Sequence, residues 1–175
     1  MYRTQLTESY FPAVRESEMR PMTIGAMLRE RALAHPDQPA MKELLYSGEV
    51  ARIWTYAELL RDAEKLARAL AGRHAKGARV AVYANNIPEW VLIELGCGLA
   101  GVTLVTVNPA FQERELKYVL EQSRSEAVYY VAEFRGNQMA DIVAAATRGN
   151  DAIRHKILLT DHEALFAGGE NAALP

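Results

Sequence analysis

The sequence predicts a doubly wound α/β fold, a mostly parallel sheet covered by helices, with an N-terminal helix and hairpin added. Three observations carry this prediction. From Arg79 onward, apolar runs at residues 80–84, 102–107, 127–131 and 156–160 alternate with stretches of helical periodicity. Strand, helix, strand in repetition requires parallel strands joined by right-handed crossovers. The runs are continuously apolar rather than alternating, as burial on both faces of a parallel sheet demands.

At the start of the chain, residues 1–22 hold Pro12, Pro21 and scattered charges and read as an extended leader. Thr23 is placed to cap a helix whose apolar positions Ile24, Met27 and Leu28 share a face, and which stops near His35-Pro36. Extended runs at 40–46 and 50–54, separated by Ser47-Gly48, read as a hairpin. Thr55 and Glu58 form a capping box, opening a helix with Leu59, Ala63, Leu66, Ala67 and Leu70 on one stripe. Gly72 and Gly77 punctuate its exit. After the strand at 80–84, Asn86-Ile87-Pro88-Glu89 reads as a second capping signature, with Asn86 as cap and Pro88 in the first turn. That helix runs to Gly101. The strand at 102–107 ends at Asn108-Pro109. Helices at 113–122, with Leu116, Val119 and Leu120 inward, and at 138–147 alternate with the remaining strands. Residues 161–175 read as a short helix and a tail, or as a severed connection.

The chain has 175 residues, enough for one domain with a sizeable core. Half of it is apolar (50%) and 24% is charged, which excludes a disordered chain. The net charge of −2, with signs interspersed, gives no electrostatic case for nucleic acid or an anionic membrane. One cysteine, Cys97, excludes an internal disulfide framework and suits a reducing compartment. The polar N-terminus shows no secretory signal, so the expectation is a cytoplasmic protein. The apolar stretch at 90–107 is interrupted by Glu94, and its uncharged part, residues 95–107, is too short for about 30 Å of hydrocarbon.

Gly96-Cys97-Gly98-Leu99-Ala100-Gly101 is a literal G-x-G-x-x-G, the dinucleotide fingerprint. That fingerprint follows a strand and opens a helix, whereas here a helix precedes it and a strand comes after. Close packing of a buried helix, with Gly101 as its C-terminal cap, is the expected role. Asn85-Asn86 and Asn108-Pro109 fall at the carboxyl ends of parallel strands, where open α/β sheets bind ligands. Helix capping by Asn86, a turn at Asn85 and a strand stop at Asn108 explain the same residue types without a ligand. Cys97 reads as a small buried hydrophobe. His35, His74, His155 and His162 are scattered at no metal-ligand spacing, and Glu113 and Glu115 fall at a helix start that favours acids. These residues assemble no catalytic or metal site, and none is assigned to cofactor binding.

One ordered set remains. Thr23-Ile24-Gly25-Ala26-Met27-Leu28, Ala34-His35-Pro36-Asp37 and Trp54-Thr55-Tyr56-Ala57-Glu58-Leu59 are succeeded by Arg79 through Trp90. Gly101 through Pro109 and Glu115-Leu116 complete it. In order and spacing, residues 23–160 resemble the opening of AMP-binding, adenylate-forming acyl-CoA synthetases. The resemblance implies the first α/β subdomain of the adenylation domain. It also implies, for a full-length enzyme, ATP, Mg²⁺ and CoA: a carboxylic acid, fatty or aryl, attacks the α-phosphate of ATP, and the CoA thiol then displaces AMP. The family's phosphate-gripping loop and lysine, acidic Mg²⁺-binding region, ribose-binding Asp and C-terminal lysine have no counterpart in this sequence. Some relatives carry an arginine after Asn-Pro; here that position is Ala110. The expectation is therefore an N-terminal fragment, inactive alone, whose partner is the remainder of its own adenylation domain and which self-associates through exposed apolar surface. The rival readings are a stand-alone acyl-CoA-binding or interaction domain and a dinucleotide-binding module.

Overall fold

The computed structural model describes Thr7, residues 20–170 and residues 172–174, so most of the expected leader lies outside the described residues. Thr23 caps α1 (Ile24–Ala34), its hydroxyl accepting from the Ala26 amide. The face differs from expectation. Gly25, Leu28 and Ala32 turn inward, while Ile24 and Met27 stay about half exposed, because Gly25 lets α1 approach Leu99 closely and so rotates the helix.

Strands β1 (Pro39–Leu44) and β2 (Val50–Thr55) form an antiparallel hairpin. Gly48 closes its turn at φ 87°, donating to the Leu45 carbonyl, a backbone shape that favours glycine. The Thr55–Glu58 capping box is formed in both directions and opens α2 (Tyr56–Arg73). All five apolar positions of its expected stripe are buried.

The main sheet holds β3 (Arg79–Tyr83), β4 (Thr103–Val107), β5 (Ala127–Tyr130) and β6 (His155–Leu158), all parallel, in the order β4-β3-β5-β6. The crossovers are α3 (Pro88–Ala100), α4 (Glu113–Ser123) and α5 (Met139–Ala146), and α6 (His162–Phe166) comes after β6. Right-handed connections in opposite directions from β3 put α3 on one face and α4 and α5 on the other. The chain therefore folds as a doubly wound sheet. Burial of both faces holds for β3 and β5, but not for β4, where Thr103 and Thr106 are exposed. As an edge strand, β4 has only one neighbour and incomplete cover.

Against α3 packs α2, and against α2 packs the segment after α6. A Cβ built on Gly72 would lie 2.1 Å from the Gly168 carbonyl oxygen. Gly72→Ala is expected to displace that segment, at about 1–3 kcal/mol for overpacking. Hydrogen exchange should then rise at residues 168–169 and stay unchanged in β3 and β5; unaltered exchange at 168–169 would refute the packing.

Candidate carboxyl-edge site

Strand order reverses at β3, whose neighbours β4 and β5 are reached by crossovers in opposite directions. In open α/β sheets the ligand crevice lies outside the carboxyl ends of the strands at such a switch point. Here its walls are the loop Ala84–Ile87 after β3 and the loop after β5. That second loop is a tight turn, with Phe134 and Asn137 bridged and Arg135 and Gly136 in the left-handed region. Arg135 lies over the Phe134 ring, and Tyr46 of the hairpin joins Glu133, Phe134 and Arg135 around a cleft of about 470 Å³. A smaller cleft of about 220 Å³ runs between the hairpin and Asn86-Ile87-Pro88.

Asn86 does not cap α3. The N-cap is Ile87, with Pro88 at the first position, and no side chain bonds the helix start. Proline has no amide to be capped and presets the helical φ, so the helix begins one residue later than the signature suggested. Asn86 is exposed and Asn85 half-buried, and among the described residues neither side chain makes a hydrogen bond. The capping explanation for Asn86 thus falls away. Asn108 is different: its Oδ1 accepts from the Ala110 amide at 2.9 Å, a local turn that accounts for it.

Glu89, read as the capping partner of Asn86, is instead the centre of an ion-pair cluster. Only 3% exposed, it receives two hydrogen bonds from Arg52, the shorter 2.7 Å, and lies 3.0 Å from His162 Nε2. Arg52 also donates to Glu43 at 2.6 Å and stacks over Trp54. Burial is the largest single influence and works against the Glu89 charge, but the Arg52 hydrogen bonds and charge, the helix-start amide and His162 together hold the carboxyl below its usual range. This cluster clamps the hairpin onto the start of α3 and so sets the wall beside Asn86. Arg52 could have been found from the alternation of β1 and β2, which puts Met41, Glu43, Arg52 and Trp54 on one face.

The glycine motif lies inside α3 and at its end, not at a helix start. A Cβ on Gly96 would meet Leu66 and Leu70 of α2 at 3.3 Å, and Gly101 caps the helix at φ 69°. It packs helices, and it lies away from the helix start where a dinucleotide fingerprint places its phosphate. Cys97 is buried beside it, and burial pushes its thiol up to about 12, which removes it as a nucleophile. The histidines are less scattered than their sequence positions: His74 and His155 stack edge-on with centroids 5.4 Å apart. Glu115 accepts from the Gln112 amide at 2.8 Å and caps α4. Among the described residues no three His, Cys, Asp or Glu side chains converge as a metal-ligand set, and no helix is long and apolar enough to cross a membrane.

Comparison with known proteins places this geometry. Residues 28–173 match the family model described as AMP-binding enzyme. The mitochondrial medium-chain acyl-CoA ligase ACSF2 of Danio rerio is 30% identical over 139 residues, covering 79% of this chain and 22% of that protein. A Mycobacterium tuberculosis fatty acyl CoA synthetase superposes with a TM-score of 0.69 at 28% identity, over 86% of this chain and 28% of that one. The N-terminal domain of FACL13 from the same organism gives 0.70 at 26% identity, over 86% and 36%. The chain thus spans well under half the length of the relatives it matches. Its β4-β3-β5-β6 sheet, its helix and hairpin and its ordered sequence match agree: the chain belongs to the AMP-binding enzyme family and is related to the acyl-CoA synthetases.

Proposed function

We propose that this chain provides the first α/β subdomain of an ATP-dependent acyl-CoA synthetase, acting on a fatty or aryl acid. The reaction is carboxylic acid, ATP and CoA to acyl-CoA, AMP and pyrophosphate. The observation that carries this reading is the match over residues 28–173 to AMP-binding enzymes. The domain reading proposed with it is a leader at 1–22, the subdomain at 23–160 and a tail or severed connection at 161–175. The cytoplasm is the proposed compartment, on the ground of a lone buried cysteine.

The residues present do not fit ATP with Mg²⁺. The described residues offer no lysine-bearing glycine loop at a helix start and no converging carboxylates. No chemical step is therefore assigned to them. Their proposed role is to form one wall of the site, with Asn85 and Asn86 presented at the switch point and held by the Arg52–Glu89 clamp. The remaining walls, and the groups that act on ATP, are assigned to polypeptide outside this sequence.

The test is ATP–pyrophosphate exchange with medium-chain, long-chain and aryl acids. It is run on residues 1–175 and on the reading frame continued past the codon for Pro175. Exchange by the continued chain and none by residues 1–175 supports the reading. A frame that stops at Pro175, with acyl-CoA binding by the chain alone in calorimetry, would replace it with a stand-alone binding domain.

Self-association of residues 1–175 belongs to the same reading. The outer hairpin face carries Leu44, Val50 and Ile53 exposed, with Leu45 and Tyr46 at the turn. Sedimentation should show mass rising with concentration, and Leu44→Lys with Ile53→Lys should abolish the rise. A concentration-independent monomer would refute it.

A further inference from the structure

A second polar cluster lies at the opposite, amino-terminal end of the sheet, away from the crevice. There α2 ends in Arg73 and His74. His74 is buried, with Nδ1 2.7 Å from the Glu126 carboxylate and Nε2 3.0 Å from the Tyr129 hydroxyl. A carboxylate only accepts, so Nδ1 carries the proton and Nε2 accepts from Tyr129. Burial pushes the Tyr129 hydroxyl up to about 12, with Arg73 acting in the opposite sense, so this hydroxyl stays a donor. Arg154 binds the other Glu126 oxygen, and the His155 ring packs edge-on against His74. Arg73 donates to the Leu165 carbonyl at 2.9 Å and to that of Ala164, gripping the end of α6. Residues of α2, β5 and β6 meet around one imidazole, and the neighbouring Arg73 ties α6 to them.

We propose that His74 is a proton-sensitive lock: neutral, it holds α6 and the segment after it on α2, and protonated, it releases them while the central strands stay folded. Protonation turns Nε2 into a donor. The Tyr129 proton then loses its acceptor in a buried place, where the neighbouring Arg73 can only donate. The new charge also faces Arg73 from α2, and Arg154 and His155 from the start of β6. Glu126 alone among these groups favours it. α6 is the element that yields, since it has five residues and rests on the Arg73 grip, the buried Leu165 and the Gly168 approach to Gly72.

Burial, opposed by Glu126, holds His74 below the usual imidazole value of 6.5, and burial with Arg73 and Arg154 does the same to His155. A released or unfolded state therefore takes up the proton first as pH falls. The lock is fully closed above about pH 6.5 and weakens as pH drops through that value.

The test is hydrogen exchange on the 175-residue chain at pH 7.5 and 5.5, corrected for intrinsic rates, with an NMR titration of the His74 ring. Protection at residues 162–169 should fall about tenfold, while β3 and β5 keep theirs. His74→Gln retains one donor and one acceptor without titrating and should remove most of the pH dependence; His155→Gln should leave most of it. Equal protection at both pH values overturns the lock. So does a His74 value at or above that of a free peptide, or a pH dependence that survives His74→Gln undiminished. Should His74→Gln fail to fold, the exchange and titration of the unaltered chain decide the matter.

Discussion

Arg52→Ala should destabilise the chain by about 3–5 kcal/mol, the cost of leaving a buried carboxylate without its main partner. Glu89 cannot reach water by a small adjustment, since it is 3% exposed and fixed in the first turn of α3. His162 remains beside it but is 56% exposed, so solvent screens its help. Urea unfolding with unchanged m should report the loss as a lower midpoint. The pH dependence should change as well. In the unaltered chain the folded-state value of Glu89 lies below the ordinary 4.5, so its contribution is present above that value and lost as pH falls below it. Without Arg52, burial, the largest single influence, is opposed only by the helix-start amide and His162, and that value should rise. The folded state then binds the proton more readily, so the destabilisation caused by Arg52→Ala, measured against the unaltered chain, should shrink as pH falls from 7 toward 5. Arg52→Met with Glu89→Leu should recover most of the loss, because an apolar pair removes the stranded charge. A loss under 1 kcal/mol in Arg52→Ala, or a loss that does not shrink as pH falls, would show that the clamp does not hold the hairpin.

Leu66→Ala should cost about 2–5 kcal/mol, by lost burial and by the cavity it leaves between α2 and α3. Leu66 is fully buried, and its Cγ stands 3.3 Å from where a Gly96 Cβ would sit. The two sites are therefore coupled, and a double-mutant cycle reads the coupling. Gly96→Ala alone sets a gain in helix propensity of about 1 kcal/mol against crowding of Leu66 and Leu70. In the Leu66→Ala background the crowding by Leu66 is relieved, leaving only that by Leu70, and the methyl fills part of the void, so Gly96→Ala should stabilise. Additive effects would mean that the glycine motif has some role other than helix packing. This cycle bears directly on the one motif in the sequence that invites a dinucleotide reading.

Local signals determined most of the architecture. The Thr23 and Thr55 caps, the Ser47-Gly48 turn, the α2 stripe and the Gly101 stop each act within four or five residues, so they are legible one after another. The doubly wound sheet was legible too, because parallel strands with intervening helices have few ways to connect. So was the family, as an ordered set of short segments rather than as any one motif.

Other features required the tertiary structure, because they depend on partners far apart in the chain. Arg52 and Glu89 are 37 residues apart, and His74 and Glu126 are 52 apart; no periodicity links such pairs. Asn86 looked like a cap because its residue type and spacing suit one, but Pro88 moved the helix start to Ile87. The apolar run of β4 looked doubly buried because composition does not reveal which strand ends at an edge. Helix starts, turns and stripes are short-range free-energy choices and can be read from neighbours in sequence. Which charges are buried together, and which strand has only one neighbour, is decided by long-range packing of the whole sheet.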